Sequence, residues 1–284
     1  MASLQKIKTR INLIENTRKI TKAMELLSSA KLRKMKNNHL SIQEYVQTIN
    51  DILASLFQNS KDAKNVIKLD NNKGKLYIII TSDLGLCGGY NTNIFKLVKN
   101  QLKDEDKIII FGNKGFILFK DYEQQIIQSH LNYGDDLNYV VVSKVLSLIE
   151  KMIDNKEISA INVVYTKFIN SVTYEPINFQ LLPINYENFA NKSVKNNTLK
   201  ALTEFEPSAS VIVKNIVPLY LGSSIFSFLA ESKISEMSSR RSAMENASNN
   251  ADEIISNLEI VFNRGRQSSI TQEITEIIGG TSSE

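Results

Sequence analysis

The stretch Thr81–Asn93, TSDLGLCGGYNTN, gathers several residues that could do chemistry. It holds Asp83, the only cysteine (Cys87) and three glycines, Gly85, Gly88 and Gly89, directly after the apolar run KLYIIIT. A glycine-rich turn after a buried strand suits phosphate binding, and a cysteine there could be a nucleophile. The spacing fits neither. A GxxxxGK[ST] loop needs a Lys after its second glycine, but Tyr90 and Asn91 follow Gly89. A GxGxxG fingerprint starting at Gly85 would find Cys87 and Tyr90 in its glycine positions. No GxSxG elbow is present. A cysteine nucleophile also needs a base, and the two histidines, His39 and His130, lie far away along the chain. These five residues therefore read as a structural turn. Asp83 caps backbone N–H groups and Cys87 is a small packed residue. One cysteine gives no disulfide framework within the chain and no Cys-based zinc site, and two histidines leave little for His-based metal or triad chemistry. No catalytic residue, cofactor or metal is expected.

The elements around this turn are unusual. The chain has 284 residues and is 42% hydrophobic, enough to bury a core. Net charge is +4, too little to argue for nucleic acid. The N-terminus MASLQKIKTR lacks the apolar stretch of a signal peptide, and no uninterrupted run of about 18 apolar residues occurs. A soluble, intracellular chain is expected. No Gly or Pro precedes Gly74, and none lies between Ser223 and Arg264. Both segments carry apolar residues at alternating steps of three and four, the rhythm of a coiled-coil seam.

The first seam reads Leu4, Ile7, Ile11 and Ile14, then Leu32, Met35, Ile42, Val46, Ile49, Leu53 and Leu56. In between, its frame holds Arg18, Thr21, Glu25 and Ser28, and the apolar stripe moves to Ile20, Met24 and Leu27. The second seam runs Ile234, Met237, Arg241, Met244, Ser248, Ala251, Ile255, Leu258, Phe262. It restarts at Ile270, Ile274 and Ile277 after Gly265, where the partner helix is expected to run out. Residues 1–36 hold ten Lys/Arg against two Asp/Glu, and residues 231–284 five against nine, so the arms are oppositely charged. An antiparallel pairing of the two arms follows. Between them, KLYIIIT, KIIIF, INVVYTKF and VTYEPINFQLL read as strands, and Asn91–Leu102 and Asp136–Ile153 as helices. That alternation predicts an α/β domain with a largely parallel sheet. The expected divisions are a first helix over 1–60, a connector over 61–74, the α/β domain over 75–207 and a last helix over 208–284. Pro207 suits the first turn of that helix, whereas Pro218, helped by Gly222, is expected to bend or break it.

Three blocks carry a family resemblance: IKTRINLIENTRKITKAMELLSSAKLRK, ITSDLGLCGGYNTN, and SEMSSRRSAMENASNNADEIISNLEIVFNRGRQSSITQEITEIIGG. With them the chain resembles the γ subunit of F-type ATP synthases over nearly its whole length. The resemblance implies an α+α/β fold: a long antiparallel coiled coil of the terminal helices, with an inserted Rossmann-like domain. It implies a non-catalytic rotor shaft inside a ring of α and β subunits. Its foot would meet the ε subunit and the c-ring, at the cytoplasmic face of the cell membrane. The membrane is touched only through the complex, and nucleic acid is no partner. Proton-driven rotation of the c-ring would turn the shaft and impose successive conformations on three β subunits. A γ-like shaft of a specialised rotary ATPase, not coupled to an ordinary c-ring, is the alternative within the family. Outside it stand a nucleotide-binding α/β enzyme and a coiled-coil scaffold for nucleic acid or membrane.

Motif by motif, Met24 in KITKAMELL matches the methionine that faces the acidic lever of β, with Lys22 and Arg10 as partners for that lever. In RGRQSSITQE, Arg266 and Gln267 match the pair that bonds a loop of β, and Thr271 and Glu273 match positions tied to coupling. In TEFEP, Phe205 and Glu206 match an aromatic–acidic pair on the c-ring and ε side. Two positions depart from the family pattern. Leu84 stands where an arginine is usual, and Arg241 where a methionine is usual on the seam.

Overall fold

The computed structural model describes residues 2–59, 69–134, 137–185, 206 and 208–281. The backbone forms two compact units, Met1–Ala30 with Arg240–Glu284, and Lys31–Ser239. Helix α1 (Ala2–Asn59) and helix α5 (Ala209–Thr281) each contribute to both.

In the first unit the two helices run antiparallel. Leu4 lies against Gly265, Arg18 pairs with Asp252, and the hydroxyls of Thr21 and Ser248 are 2.8 Å apart. The seam of α1 does not shift where the apolar residues leave it. Thr21 and Glu25 stay half-buried and Ser28 is buried, whereas Ile20 and Leu27 are exposed. The frame is kept by polar contacts: Arg18 and Thr21 bond across it, and Ser28 Oγ donates to the Met24 carbonyl at 2.7 Å. Gly265 faces Leu4 in the first turn of α1, so the partner helix runs out close to this glycine. A Cβ there would come within 2.8 Å of Leu4 Cδ2, so the glycine admits the first turns of α1. Beyond it, every side chain described from Ile270 to Ile278 is exposed.

The second unit is built on a five-stranded sheet in the order β3-β2-β1-β4-β5. Strands β1 (Lys75–Ile80), β2 (Lys107–Phe111), β3 (Ile126–His130) and β4 (Ala160–Phe168) are parallel, and β5 (Tyr174–Leu182) is an antiparallel edge. That edge position tolerates Pro176, which cannot donate to a ladder. The central strands are mostly apolar because both faces are covered. Leu76, Ile78 and Ile80 pack with α4 (Tyr139–Asp154) and with Leu53 of α1 and Leu221 of α5. Tyr77 and Ile79 pack on the other face with Tyr90, Ile94 and Val98 of α2 (Tyr90–Val98). Full burial of each such side chain is worth about 1.5–3 kcal/mol. The short helix α3 (Asn113–Leu118) and strand β3 are additions to the expected elements. β3 carries IIQSH, too short and too polar to stand out.

Helix α5 is continuous through Pro218. Gly222 does not break it either: a Cβ there would collide with the Tyr139 hydroxyl and come within 2.7 Å of Leu146 Cδ1. The glycine lets α4 approach α5 closely. One 18-residue window of α5 is apolar enough to cross a membrane, and half of that window is buried inside the protein. Val213, Val217, Leu221, Ile225 and Leu229 are part of the core beneath the sheet. Phe205, Pro207 and residues 61–68 of the connector lie outside the described residues.

Candidate functional site

The loop after β1 is stitched into place from both sides. Thr81 Oγ1 donates to the Phe111 carbonyl at 2.7 Å and accepts from the Gly115 N–H at 2.9 Å. Asp83 Oδ1 accepts the N–H groups of Asn113 (3.2 Å) and Asn132 (2.8 Å). It therefore caps the loops after β2 and β3 rather than its own turn. Asn91 Oδ1 accepts from Ser82 N–H, and Asn91 Nδ2 donates to Ser82 Oγ (2.7 Å) and to Cys87 Sγ (3.3 Å). Cys87 is thus a buried acceptor in a small polar cage. Of the loop glycines only Gly88, at φ 56°, occupies the left-handed region, with Leu86 beside it at φ 61°. Gly85 lies against Lys114, and Gly89 (φ −81°) leads into α2. Leu84 is exposed.

The strand order fixes what this loop faces. β2 lies on one side of β1 and β4 on the other, and the carboxyl ends flanking such a reversal are where doubly wound sheets hold ligands. Here the chain's own last helix is bonded to those ends. Ser239 Oγ donates to the Cys87 carbonyl at 2.7 Å, and Ser235 Oγ to the Thr166 carbonyl at 2.9 Å. Ser238 Oγ donates to the Ser171 carbonyl at 2.7 Å, and the Tyr90 and Ser232 hydroxyls lie 2.6 Å apart. All four serines are essentially inaccessible. Beside them Glu231 Oε1 accepts the Phe168 N–H at 3.2 Å. Its burial pushes the carboxyl above the ordinary carboxylate range, while the Phe168 N–H and the Tyr165 hydroxyl draw it back. Lys233 and Glu236 form a buried ion pair at 3.2 Å, with Lys233 Nζ also 4.2 Å from the Tyr133 ring centre. Arg240, one turn on, is buried in the other unit.

This serine face was missed in the sequence. Its signal is the spacing of Ser232, Ser235 and Ser239, three and four apart on one side of a helix. Small hydroxyls let a helix lie close to strand ends whose carbonyls would otherwise lose their water.

The residues matched to β contacts lie in the other unit, on α1 and α5. Met24 is half-buried and Arg10 exposed. Lys22 is exposed and pairs with Glu25 of its own helix at 2.9 Å. Arg266, Gln267, Thr271 and Glu273 are all exposed near the end of α5, where Thr271 Oγ1 bonds only back to the Gln267 carbonyl among the contacts described. The exposed apolar residues Leu13, Ile20 and Leu27 share α1 with Met24. Arg241 is half-buried on the seam, and its Nε is buried with no hydrogen-bond partner among the described residues. Glu206 is exposed; Phe205 lies outside the described residues. The sites thus fall into three groups: the loop bonded to α5, the exposed flank of α1, and the exposed end of α5.

The family model described as ATP synthase matches residues 3–283. The ATP synthase gamma chain of Mycoplasmopsis pulmonis is 41% identical over 281 residues, covering 99% of both chains. That of Mycoplasma mobile is 41% identical with both chains fully covered. Among solved structures, a chain of the Euglena gracilis mitochondrial ATP synthase, described as OSCP/F1/c-ring, superposes with a TM-score of 0.71 at 18% identity, covering 99% of this chain and 94% of that one. A chain of the Tetrahymena thermophila enzyme's central stalk and c-ring gives 0.61 at 24% identity, over 81% of this chain and 99% of the other.

Proposed function

The chain belongs to the gamma family of ATP synthases, and from that premise we propose how its parts serve a central rotor stalk. The stalk couples rotation of a proton-driven c-ring to successive conformational changes in three β subunits. The chain itself is non-catalytic. The observation that carries this reading is the serine face of α5, bonded to the loop after β1 and to the carboxyl end of β4. A sheet of this topology would hold a nucleotide at those ends; here they are joined to the helix that runs on as the stalk. Load on α5 is passed into the sheet through hydrogen bonds rather than through a ligand.

Met24, Lys22 and Arg10 are assigned to the acidic lever of β, and Arg266, Gln267, Thr271 and Glu273 to the upper contact with β. The exposed end of α5 supports the second assignment, since its apolar residues Ile270 and Ile274 are about half exposed among the described residues. Phe205 and Glu206 are assigned to the c-ring and ε side. Asp83, Gly85, Cys87, Gly88 and Gly89 hold the turn that receives α5. The chain works at the cytoplasmic face of the membrane, within a complex with α, β, ε and the c-ring. The full-length match to ordinary gamma chains favours this over a specialised shaft without a c-ring.

Native mass spectrometry after co-expression with the α and β subunits tests the reading. An assembly holding one copy of this chain per three α and three β is expected. Failure of the folded chain to join that ring would overturn it.

A further inference from the structure

Within the unit Lys31–Ser239, a groove of about 520 Å³ opens between α1, α5 and the residue that leads into α4, and neither the sheet nor the stalk reading uses it. Its walls are apolar on one side, with Met35 and Ile42 of α1, Phe226 of α5, and Leu137. Its polar side carries Lys31, Lys34, His39 and Lys233, and among the described residues no carboxylate lines it. His39 is nine-tenths buried, and neither ring nitrogen has a hydrogen-bond partner among the described residues. A buried imidazole left with an unbonded N–H and an unbonded nitrogen loses the hydrogen bonds it made to water. Lys233 is partly neutralised by Glu236, the one carboxylate bonded to a lining residue in the contacts described. Desolvation lowers the His39 pKa, so near pH 7 it offers one N–H rather than a charge.

We propose that this groove binds a small organic anion, with a phosphate or carboxylate head on Lys31, Lys34 and the His39 N–H, and an apolar body against Phe226 and Met35. The size falls in the range of small-molecule sites, which are mostly apolar with a few convergent polar groups. Lysine ammonium groups supply charge-assisted donors for the head, and their stems extend the apolar wall. Lys31 and Lys34 already hold interactions of their own, so binding exchanges partners rather than filling vacant donors. The inference does not depend on the stalk assignment.

The test is titration of the purified full-length chain with 1-naphthyl phosphate, followed by NMR of the histidine ring protons. The chain has only two histidines, so a His130→Gln variant assigns the signals. Saturable binding should move the His39 ring signal and leave that of His130 in place. Neutral 1-naphthol should bind at least tenfold more weakly. Lys34 is exposed, so Lys34→Gln should fold normally and weaken naphthyl phosphate about ten- to a hundredfold, as expected for one lost charge-assisted bond. Vesicles containing phosphatidic acid form a second arm: capture of the chain assigns the head to a lipid, and naphthyl phosphate binding without capture assigns it to a soluble anion. A His39 signal that does not move at millimolar probe overturns the proposal. So does equal binding of naphthol, or a Lys34→Gln variant that loses thermal stability but not affinity.

Discussion

Cys87 shows how position decides the chemistry of a side chain. Its sulfur accepts from Asn91, its carbonyl accepts from Ser239, and it is buried, so the thiol is packing and the backbone oxygen is the docking point. Cys87→Ala keeps that carbonyl. It should cost about 1 kcal/mol in a denaturant melt and leave ATP turnover of the assembled complex within about twofold of the parent. Gly112 is less tolerant. It lies at φ 97°, and a Cβ would come within 2.5 Å of the Thr81 carbonyl oxygen. Gly112→Ala should cost about 2–4 kcal/mol on the same melt, because conformation and sterics both oppose it. The loop's glycine pattern drew attention to Gly85, Gly88 and Gly89, yet the most constrained glycine in this region stands after β2. Sequence spacing cannot show which backbone another strand will approach.

At the scale of the element, the two long helices are held by different chemistry along their length. Near Ser232–Ser239, α5 lies on strand ends through hydroxyl-to-carbonyl bonds. Ser235→Ala would leave the Thr166 carbonyl without its partner in a buried site and should cost about 1–3 kcal/mol. Farther along, Arg241 places a guanidinium Nε in the seam without a hydrogen bond among the described residues. Arg241→Met preserves length and removes the buried donor, so it should raise stability by about 1 kcal/mol, visible as an increase in Tm. On α1, Met24 is half-buried beside exposed Ile20 and Leu27. Met24→Lys should leave ATP hydrolysis by the assembled complex largely intact and reduce ATP-driven proton pumping several-fold, if this flank meets the β lever. Equal loss of both activities would argue against that contact.

At the scale of the whole molecule, pH dependence follows from one buried and two half-buried groups with two signs. Desolvation lowers the pKa of His39 and His130 from the usual 6.5, with Lys144 adding to the effect at His130. The unfolded chain then binds more protons than the folded one, so stability is fully present above about 6.5 and falls as pH drops below it. Glu231 runs the other way. Its raised carboxyl favours the protonated form when folded, so stability decreases as pH rises from its ordinary 4.5 through its folded value. Between pH 5 and 7 the histidines add a rising contribution to the denaturation midpoint that Glu231 opposes, so the slope should be less positive in a His39→Gln, His130→Gln double variant than in the parent. If the double variant keeps the full slope, the histidines are not its source.

The sequence by itself determined the elements whose signals are local. Heptad spacing marks both long helices because each apolar residue repeats on one face, and unbroken apolar runs mark β1, β2 and β4 because both faces of a parallel sheet are buried. The motif blocks pointed to the family. Tertiary structure decided the rest. Strand β3 became visible only through its ladder to β2, since IIQSH lacks an apolar run. Arg18 and Thr21 stay on the seam because the opposite helix offers Asp252 and Ser248, so a polar frame reads as a failure until its partner is in place. The serine face of α5 owes its role to carbonyls more than 60 residues away in sequence. Those carbonyls are backbone atoms, which every residue carries, and only folding makes these particular ones a site.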